Sequence, residues 1–274
     1  MIDRSLCTSV AVALMVGACA HPSELRAPDR TAAESEAVAA ATEIDRESPD
    51  HWRDVDPEAI LVVELDWGNV VIELAPQFAP AHVELIRRLV RAGHYNDGAS
   101  FYRVIDNFVA QGGVLREVES DEQDAYNDGV SPLPAEFERP LGELVYVRND
   151  SPDLYAPETG HIDGFAVGHD PDTGMIWPLH CYGTMAMARD TDPDTGSSHF
   201  YIVIGRDQRY LDRNLTVLGR VIAGMEHLQK VARGDRAVGN GVIPDPATRT
   251  PILSMKMGAD LAADDRPRLQ ICLL

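Results

Sequence analysis

Lysine is almost missing from this 274-residue chain, occurring at Lys230 and Lys256 and nowhere else. Schiff-base chemistry therefore has almost no candidates, and without a G-K-[ST] sequence there is no phosphate-cradling P-loop. Positive charge as a whole is scarce: 24 Lys and Arg stand against 44 Asp and Glu, a formal net charge of −20. Nucleic-acid binding draws on basic surface that displaces counterions from phosphates, so that class is excluded, and attraction to anionic membrane surfaces with it. No apolar run reaches the ~18 residues of a membrane-spanning helix. A G-x-S-x-G sequence is also missing, which rejects the hydrolase nucleophile elbow. What is present is a hydrophobic fraction of 45%, enough for one sizeable core or two small ones.

The amino-terminal region reads as a targeting segment. Leu6–Ala18 is apolar and follows Arg4; it is too short to span a bilayer and suits the core of a signal peptide, assigned to residues 1–18. Val16-Gly17-Ala18-Cys19 resembles a bacterial lipobox, with Cys19 as the lipidated residue, while Ala18-Cys19-Ala20 equally fits plain signal cleavage. Either route implies a periplasmic or cell-envelope location, with a lipid anchor as the one membrane contact. Residues 19–50 are rich in Ala, Glu, Pro and Ser and carry no aromatic; a stretch so poor in buryable surface cannot offset its ordering entropy and reads as a tether. Export leaves Cys181 and Cys272, which an oxidising compartment permits to pair; sequence does not supply the distance a bridge needs.

A folded domain is expected over residues 51–261, followed by a tail at 262–274. Short β-branched runs mark strands at Ala59–Asp66 and Val70–Leu74 around the turn Trp67-Gly68-Asn69, and further on at Ser100–Ile105, Phe108–Gln111, Thr184–Ala188, His199–Ile204, Thr216–Val221 and Ile252–Met257. Pro80 opens a helical pattern in which Val83, Ile86, Leu89 and Val90 share a face, and Gly93 is placed to end it. A second helix is expected over Met225–Ala232. Short strands with two separated helices suggest a mainly β, closed antiparallel barrel capped by two α-helices, although periodicity alone fits a sandwich as well. Residues 114–182 differ in texture, with few strand-length apolar runs and many Asp, Glu, Gly and Pro. They read as a long inserted loop region, partly ordered because unstructured loops of this length are uncommon.

Two segments carry the chemistry. The first is Phe101-Tyr102-Arg103-Val104-Ile105-Asp106-Asn107-Phe108-Val109-Ala110-Gln111-Gly112-Gly113, and the second runs from Gly183-Thr184-Met185-Ala186-Met187-Ala188-Arg189 to Ser197-Ser198-His199-Phe200-Tyr201-Ile202. At these residues the chain resembles the cyclophilin-type peptidyl-prolyl isomerases, whose F-[HY]-R-[VI]-I-x-x-F-x-x-Q-G-G run is matched nearly throughout. Tyr210-Leu211-Asp212-Arg213-Asn214-Leu215-Thr216-Val217-Leu218-Gly219 resembles the next element of that family. The likeness spans about Ile60 to Met257, interrupted by the insertion.

The reaction this implies asks little of a protein in covalent terms. Amide resonance sets a barrier of ~18–20 kcal/mol to rotation about an Xaa-Pro bond. At the top of that barrier the nitrogen is pyramidal and regains a lone pair, so a fixed cationic donor aimed at it binds the twisted state better than the planar one. Arginine is always charged and offers a rigid fork. The resemblance makes Arg103 that donor and Gln111 its orienting partner, lines the proline pocket with Phe108, Val109, Tyr201 and Leu211, sets Ala188, Arg189 and His199 along the substrate groove, and puts Tyr210 and Leu215 at its rim. Without the surrounding motif, an arginine on a strand is ordinarily a surface ion pair.

This chain also departs from the family pattern. Tyr201 stands where Phe is usual, bringing a hydroxyl that needs a partner or costs about 1–3 kcal/mol, and a shallower or wetter pocket is expected from it. His199 replaces a groove Gln and is expected to titrate near neutral pH. Tyr210 replaces a Trp, and Leu215 a His found in many members. In the insertion, His161, His169, Asp170, Asp172, His180 and Cys181 match no zinc spacing, so neither metal nor cofactor is expected. The partners implied are proline-containing polypeptides of exported proteins, acted on by a monomer. The alternative is a binding or chaperone module of the same fold with little turnover.

Overall fold

A computed structural model describes residues 52–115 and 129–272. The leader and tether, Cys19 included, and residues 116–128 of the insertion lie outside the described residues. In chain order the strands are β1 Trp52–Asp54, β2 Ile60–Leu65, β3 Gly68–Leu74, β4 Ala99–Val104, β5 Val109–Val114, β6 Arg139–Pro140, β7 Val147–Asn149, β8 Glu158–Ile162, β9 Phe165–Asp170, β10 Met175–Pro178, β11 Thr184–Met187, β12 Phe200–Val203, β13 Val217–Ala223, β14 Thr250–Pro251, β15 Ser254–Met257 and β16 Gln270–Cys272. Among the described residues two α-helices join them, α1 Pro80–Arg91 and α2 Met225–Leu228.

Nine of these strands form one curled antiparallel sheet in the order β14-β4-β5-β12-β11-β13-β3-β2-β15. The ladder does not return to its start, but its two ends are consecutive pieces of a single segment. Within that segment the Ile252 N–H donates to the Ala99 oxygen on one edge, and the Leu253 N–H donates to the Glu64 oxygen on the other, each at 2.9 Å. One kinked stretch thus bridges both edges of the sheet, and the exposed-edge problem of an open sheet is removed. The interior is filled by every second residue of the strands, among them Leu61, Val63, Ile72, Phe101, Phe200, Ile202, Met185, Leu218 and Met257. That alternation is the period-2 geometry of a pleated strand.

The first helix starts where Pro80 presets the backbone. Its N-cap, Ala79, offers no side-chain acceptor. The carboxylate of Glu136, from the insertion, does this instead, accepting from the Ala81 N–H at 3.1 Å and the His82 N–H at 3.0 Å, with His82 Nδ1 at 2.8 Å. A negative group on the exposed amides of a helix start also meets the positive end of the helix dipole. Val83, Ile86 and Val90 face the barrel core as their spacing predicts, with Leu89 partly buried against it, and Leu85 and His82 are buried as well. The second helix stops at Leu228 rather than reaching Ala232. The Ala232 N–H is taken by Thr250 Oγ1 at 2.8 Å, and the Arg233 guanidinium binds the carbonyls of Gln229 and Val231. The chain is drawn off to the barrel seam before a further turn can form.

The insertion is not the loop region that its composition suggests. Residues 139–178 build a second antiparallel sheet, β6-β10-β9-β8-β7. Ile162, Phe165, Val167 and Ile176 are buried from it against Ala75 and Phe78 of the barrel side. Gly168 lies in mid-strand beneath Trp177, where a Cβ would come within 2.4 Å of the indole. A strand built round such a close approach shows no clean hydrophobic alternation. The hairpin tip is held by charge: Glu73, 2% exposed, binds Arg220 at 3.0 Å and Arg53 at 2.5 Å. Those two arginines also donate to the carbonyls of Gly164 and Asp163.

The tail is likewise tied down. Strand β16 pairs with β1, and Leu269 and Ile271 pack on Val55, Ile60, Val62 and Val71. Cys181 and Cys272 are not joined in a disulfide. Replacing the carboxylate in Glu136→Ala leaves the start of α1 uncapped and is expected to lower stability by about 1–2 kcal/mol, read as a reduced urea midpoint at unchanged slope.

Candidate active site

On the outer face of the barrel, Arg103, Gln111, Tyr201, Ala186 and Val217 lie on one row across five strands, each paired directly with the next. Directly paired residues of an antiparallel ladder project to the same face. The register between β4 and β5 shifts between Phe101 and Arg103, a bulge that re-aims the side chains around it. Around this row lies a cavity of about 170 Å³ lined by Arg103, Phe108, Val109, Gln111, Ala188, Arg189, Tyr201, Leu211 and Leu215. Nine of the eleven residues expected from sequence to form the catalytic site and groove are therefore brought together. Val109 and Tyr201 are buried in one apolar cluster with Val217, and Phe108, Ala188, Leu211 and Leu215 pack against it.

Among the groups that hold the Arg103 guanidinium at the cavity edge are two neutral oxygens. Its Nε donates to the Asn240 carbonyl and its Nη1 to Gln111 Oε1, both at 3.0 Å. Arg189 is a frame element: it donates to both oxygens of Asn214 and to the carbonyls of Asp190 and Thr191, with its guanidinium 5.8 Å from the Phe137 ring centroid. Tyr210 does not line the cavity. It stands 59% exposed at the rim, its ring stacked with that of Phe108 at 6.5 Å.

The tyrosine in the pocket wall has a partner that sequence reading did not name. The Tyr201 hydroxyl lies 2.9 Å from His180 Nε2, and His180 is fully buried outside the cavity lining. Asp212 Oδ1 accepts from the His180 N–H at 2.8 Å and lies 3.1 Å from its Nδ1. A carboxylate only accepts, so Asp212 faces a protonated Nδ1, while Nε2 faces the Tyr201 hydroxyl. Asp212 in turn takes Arg209 at 2.6 Å, and Arg209 grips Asp153 of the insertion with two bonds of 2.7 and 2.9 Å. Burial, with the nearby Asp212 charge adding to it, holds the Tyr201 hydroxyl well above the usual tyrosine range. The hydroxyl is thus engaged from behind and has the partner that its burial demands. The sequence signal was the hydroxyl itself, since a buried one demands an acceptor. Beside His180, burial pushes the Cys181 thiol up to about 11, which keeps it a poor nucleophile.

His199 requires the largest correction. It is absent from the cavity lining and 2% exposed. Its Nδ1 lies 2.8 Å from the Tyr102 hydroxyl, which accepts from Gln111 Nε2 at 2.6 Å. Burial, with His94 adding to it, lowers its pKa from 6.5 to about 4, so the ring does not titrate near neutrality. The unfolded chain binds a proton there that the folded chain refuses. The stability that this neutral ring contributes is complete above about pH 6.5 and is lost as pH falls toward about 4. The urea midpoint should fall across that window, and His199→Gln should flatten that part of the profile; an unchanged profile would refute the assignment.

Comparison with known proteins agrees with this geometry. Residues 60–256 match the family model described as cyclophilin type peptidyl-prolyl cis-trans isomerase/CLD. A probable peptidyl-prolyl cis-trans isomerase of Brucella suis biovar 1 (strain 1330) is 32% identical over 197 residues, 70% of this chain and 80% of that one. The human peptidyl-prolyl cis-trans isomerase-like 1 is 30% identical, covering 67% of this chain and 82% of that one. The crystal structure of cyclophilin AquaCyp293 from Hirschia baltica superposes with a TM-score of 0.67 at 30% identity, covering 84% of this chain and 86% of that one. With the motif strands, the outer-face cavity and the matched length in agreement, the chain belongs to the cyclophilin-type peptidyl-prolyl cis-trans isomerases.

Proposed function

We propose that Arg103 drives the isomerisation by donating to the prolyl nitrogen as the Xaa-Pro amide twists. The observation that carries this reading is the Arg103 guanidinium at the edge of the cavity that Phe108, Val109, Tyr201 and Leu211 line, with Gln111 Oε1 and the Asn240 carbonyl among its acceptors. The planar amide offers no lone pair on nitrogen and the twisted one does, so the donor's bond is made chiefly at the top of the barrier. Phe108, Val109, Tyr201 and Leu211 hold the proline ring while the carbonyl side rotates. Gln111 keeps the guanidinium aimed. Removing the donor in Arg103→Ala should lower kcat/KM on an Xaa-Pro peptide by about a hundred- to a thousandfold, with thermal unfolding unchanged. Activity equal to the wild type in a protease-coupled assay would end the reading.

The substrates in this proposal are prolyl bonds of exported polypeptides, and the enzyme acts as a monomer in the cell envelope, held there through Cys19. The apolar Leu6–Ala18 stretch and the Val16-Gly17-Ala18-Cys19 ending support this location. The mature chain is expected to begin at an acylated Cys19 and to lose its acyl mass in Cys19→Ser. A mature chain that begins at His21 would refute the anchor.

A further inference from the structure

A line of hydrogen bonds runs back from the Arg103 guanidinium into the barrel wall. Arg103 Nη1 donates to Gln111 Oε1 at 3.0 Å, Gln111 Nε2 donates to the Tyr102 hydroxyl at 2.6 Å, and that hydroxyl lies 2.8 Å from His199 Nδ1. A side-chain amide is nearly symmetric in shape, and its neighbours decide which end faces which group. Turned over, Gln111 would set its NH₂ against the guanidinium, donor against donor, and Arg103 would lose that acceptor. The Tyr102 oxygen accepts from Gln111, so its single proton must be directed elsewhere, and His199 Nδ1 stands within reach as its acceptor.

We infer that Tyr102 and His199 are positioning residues that fix the orientation of the Gln111 amide: an acceptor at His199 draws the Tyr102 proton away from Gln111, which leaves the amide oxygen on Arg103. This inference rests on the reading of Arg103 as the donor to the twisted amide. Tyr102 and His199 are both buried and neither lines the cavity, so they act through Gln111 rather than on the peptide. Their rings meet edge to face at 5.4 Å. Gly113, at φ +150°, leaves the room that the imidazole occupies, since a Cβ there would lie 2.7 Å from His199 Nδ1. Burial keeps the ring neutral down to about pH 4, so Nδ1 can accept throughout the range in which an envelope enzyme works.

The test measures kcat, KM and thermal unfolding on an Xaa-Pro tetrapeptide. Tyr102→Phe and His199→Leu should each lower kcat about tenfold and leave KM in place. His199→Gln, whose amide oxygen accepts from the Tyr102 hydroxyl, should restore kcat. Adding Tyr102→Phe to Gln111→Ala should cost nothing beyond Gln111→Ala alone, because both changes break the same link. Wild-type kcat in Tyr102→Phe, equal losses in His199→Gln and His199→Leu, or additive losses in the double variant would each overturn the inference. If His199→Leu does not fold, the Tyr102 and Gln111 cycle decides. Arg103→Ala measured alongside separates the two levels: full activity there sinks the reading of the donor, whereas an inactive Arg103→Ala beside a fully active Tyr102→Phe sinks this inference alone.

Discussion

The site depends on one register. Arg103, Gln111 and Tyr201 share a face because β4, β5 and β12 pair residue against residue through these positions. A strand's side chains alternate, so a slip of one residue would send Gln111 into the core and bring Ala110 out. The barrel interior enforces the register: Ala110, Phe200 and Ile202 are buried in the core from the same strands, and displacing them would expose apolar surface to water. The packing that stabilises the barrel is therefore also what keeps the cation beside the cavity.

The insertion serves the barrel in more than one place. Glu136 caps the first helix and, through its own N–H on Thr216 Oγ1, is held to the strand that leads from the cavity. His180, at its end, braces Tyr201, and Asp153 anchors the Arg209–Asp212 pair behind that histidine. The Arg209 bonds to Asp153 and Asp212 are half-buried and charge-assisted, and breaking one partner of such a pair costs more than the pair contributes. A segment that looks like an appendage in composition is thereby mechanically continuous with the pocket wall.

Much of the barrel was legible in the chain. The hairpin at Trp67, the α1 stripe and the strands carrying both motifs follow from β-branched runs, turn residues and helical spacing, and the structure moves their ends by a few residues at most. The second sheet was not legible, because its strands carry Gly160, Gly168, His161 and His169 among the apolar positions and gain their burial only against Ala75 and Phe78. The α2 end was missed because Thr250, a residue distant in sequence, captures the amide of Ala232. The tail became a strand because β1 waits for it on the other side of the chain.

By itself the sequence, through the family that its two motifs resemble, named nine residues that line the cavity, Arg103, Phe108, Gln111 and Tyr201 among them. Only the tertiary structure decided what stands behind them. His199 and Tyr102 meet because β4 and β12 flank β5, and Gly113 on that middle strand clears the space between them; His180 meets Tyr201 because the end of the insertion returns to the pocket wall. Whether a histidine is a neutral acceptor or a titrating surface group depends on its burial and its neighbours, and those are properties of the folded arrangement, which no local pattern encodes.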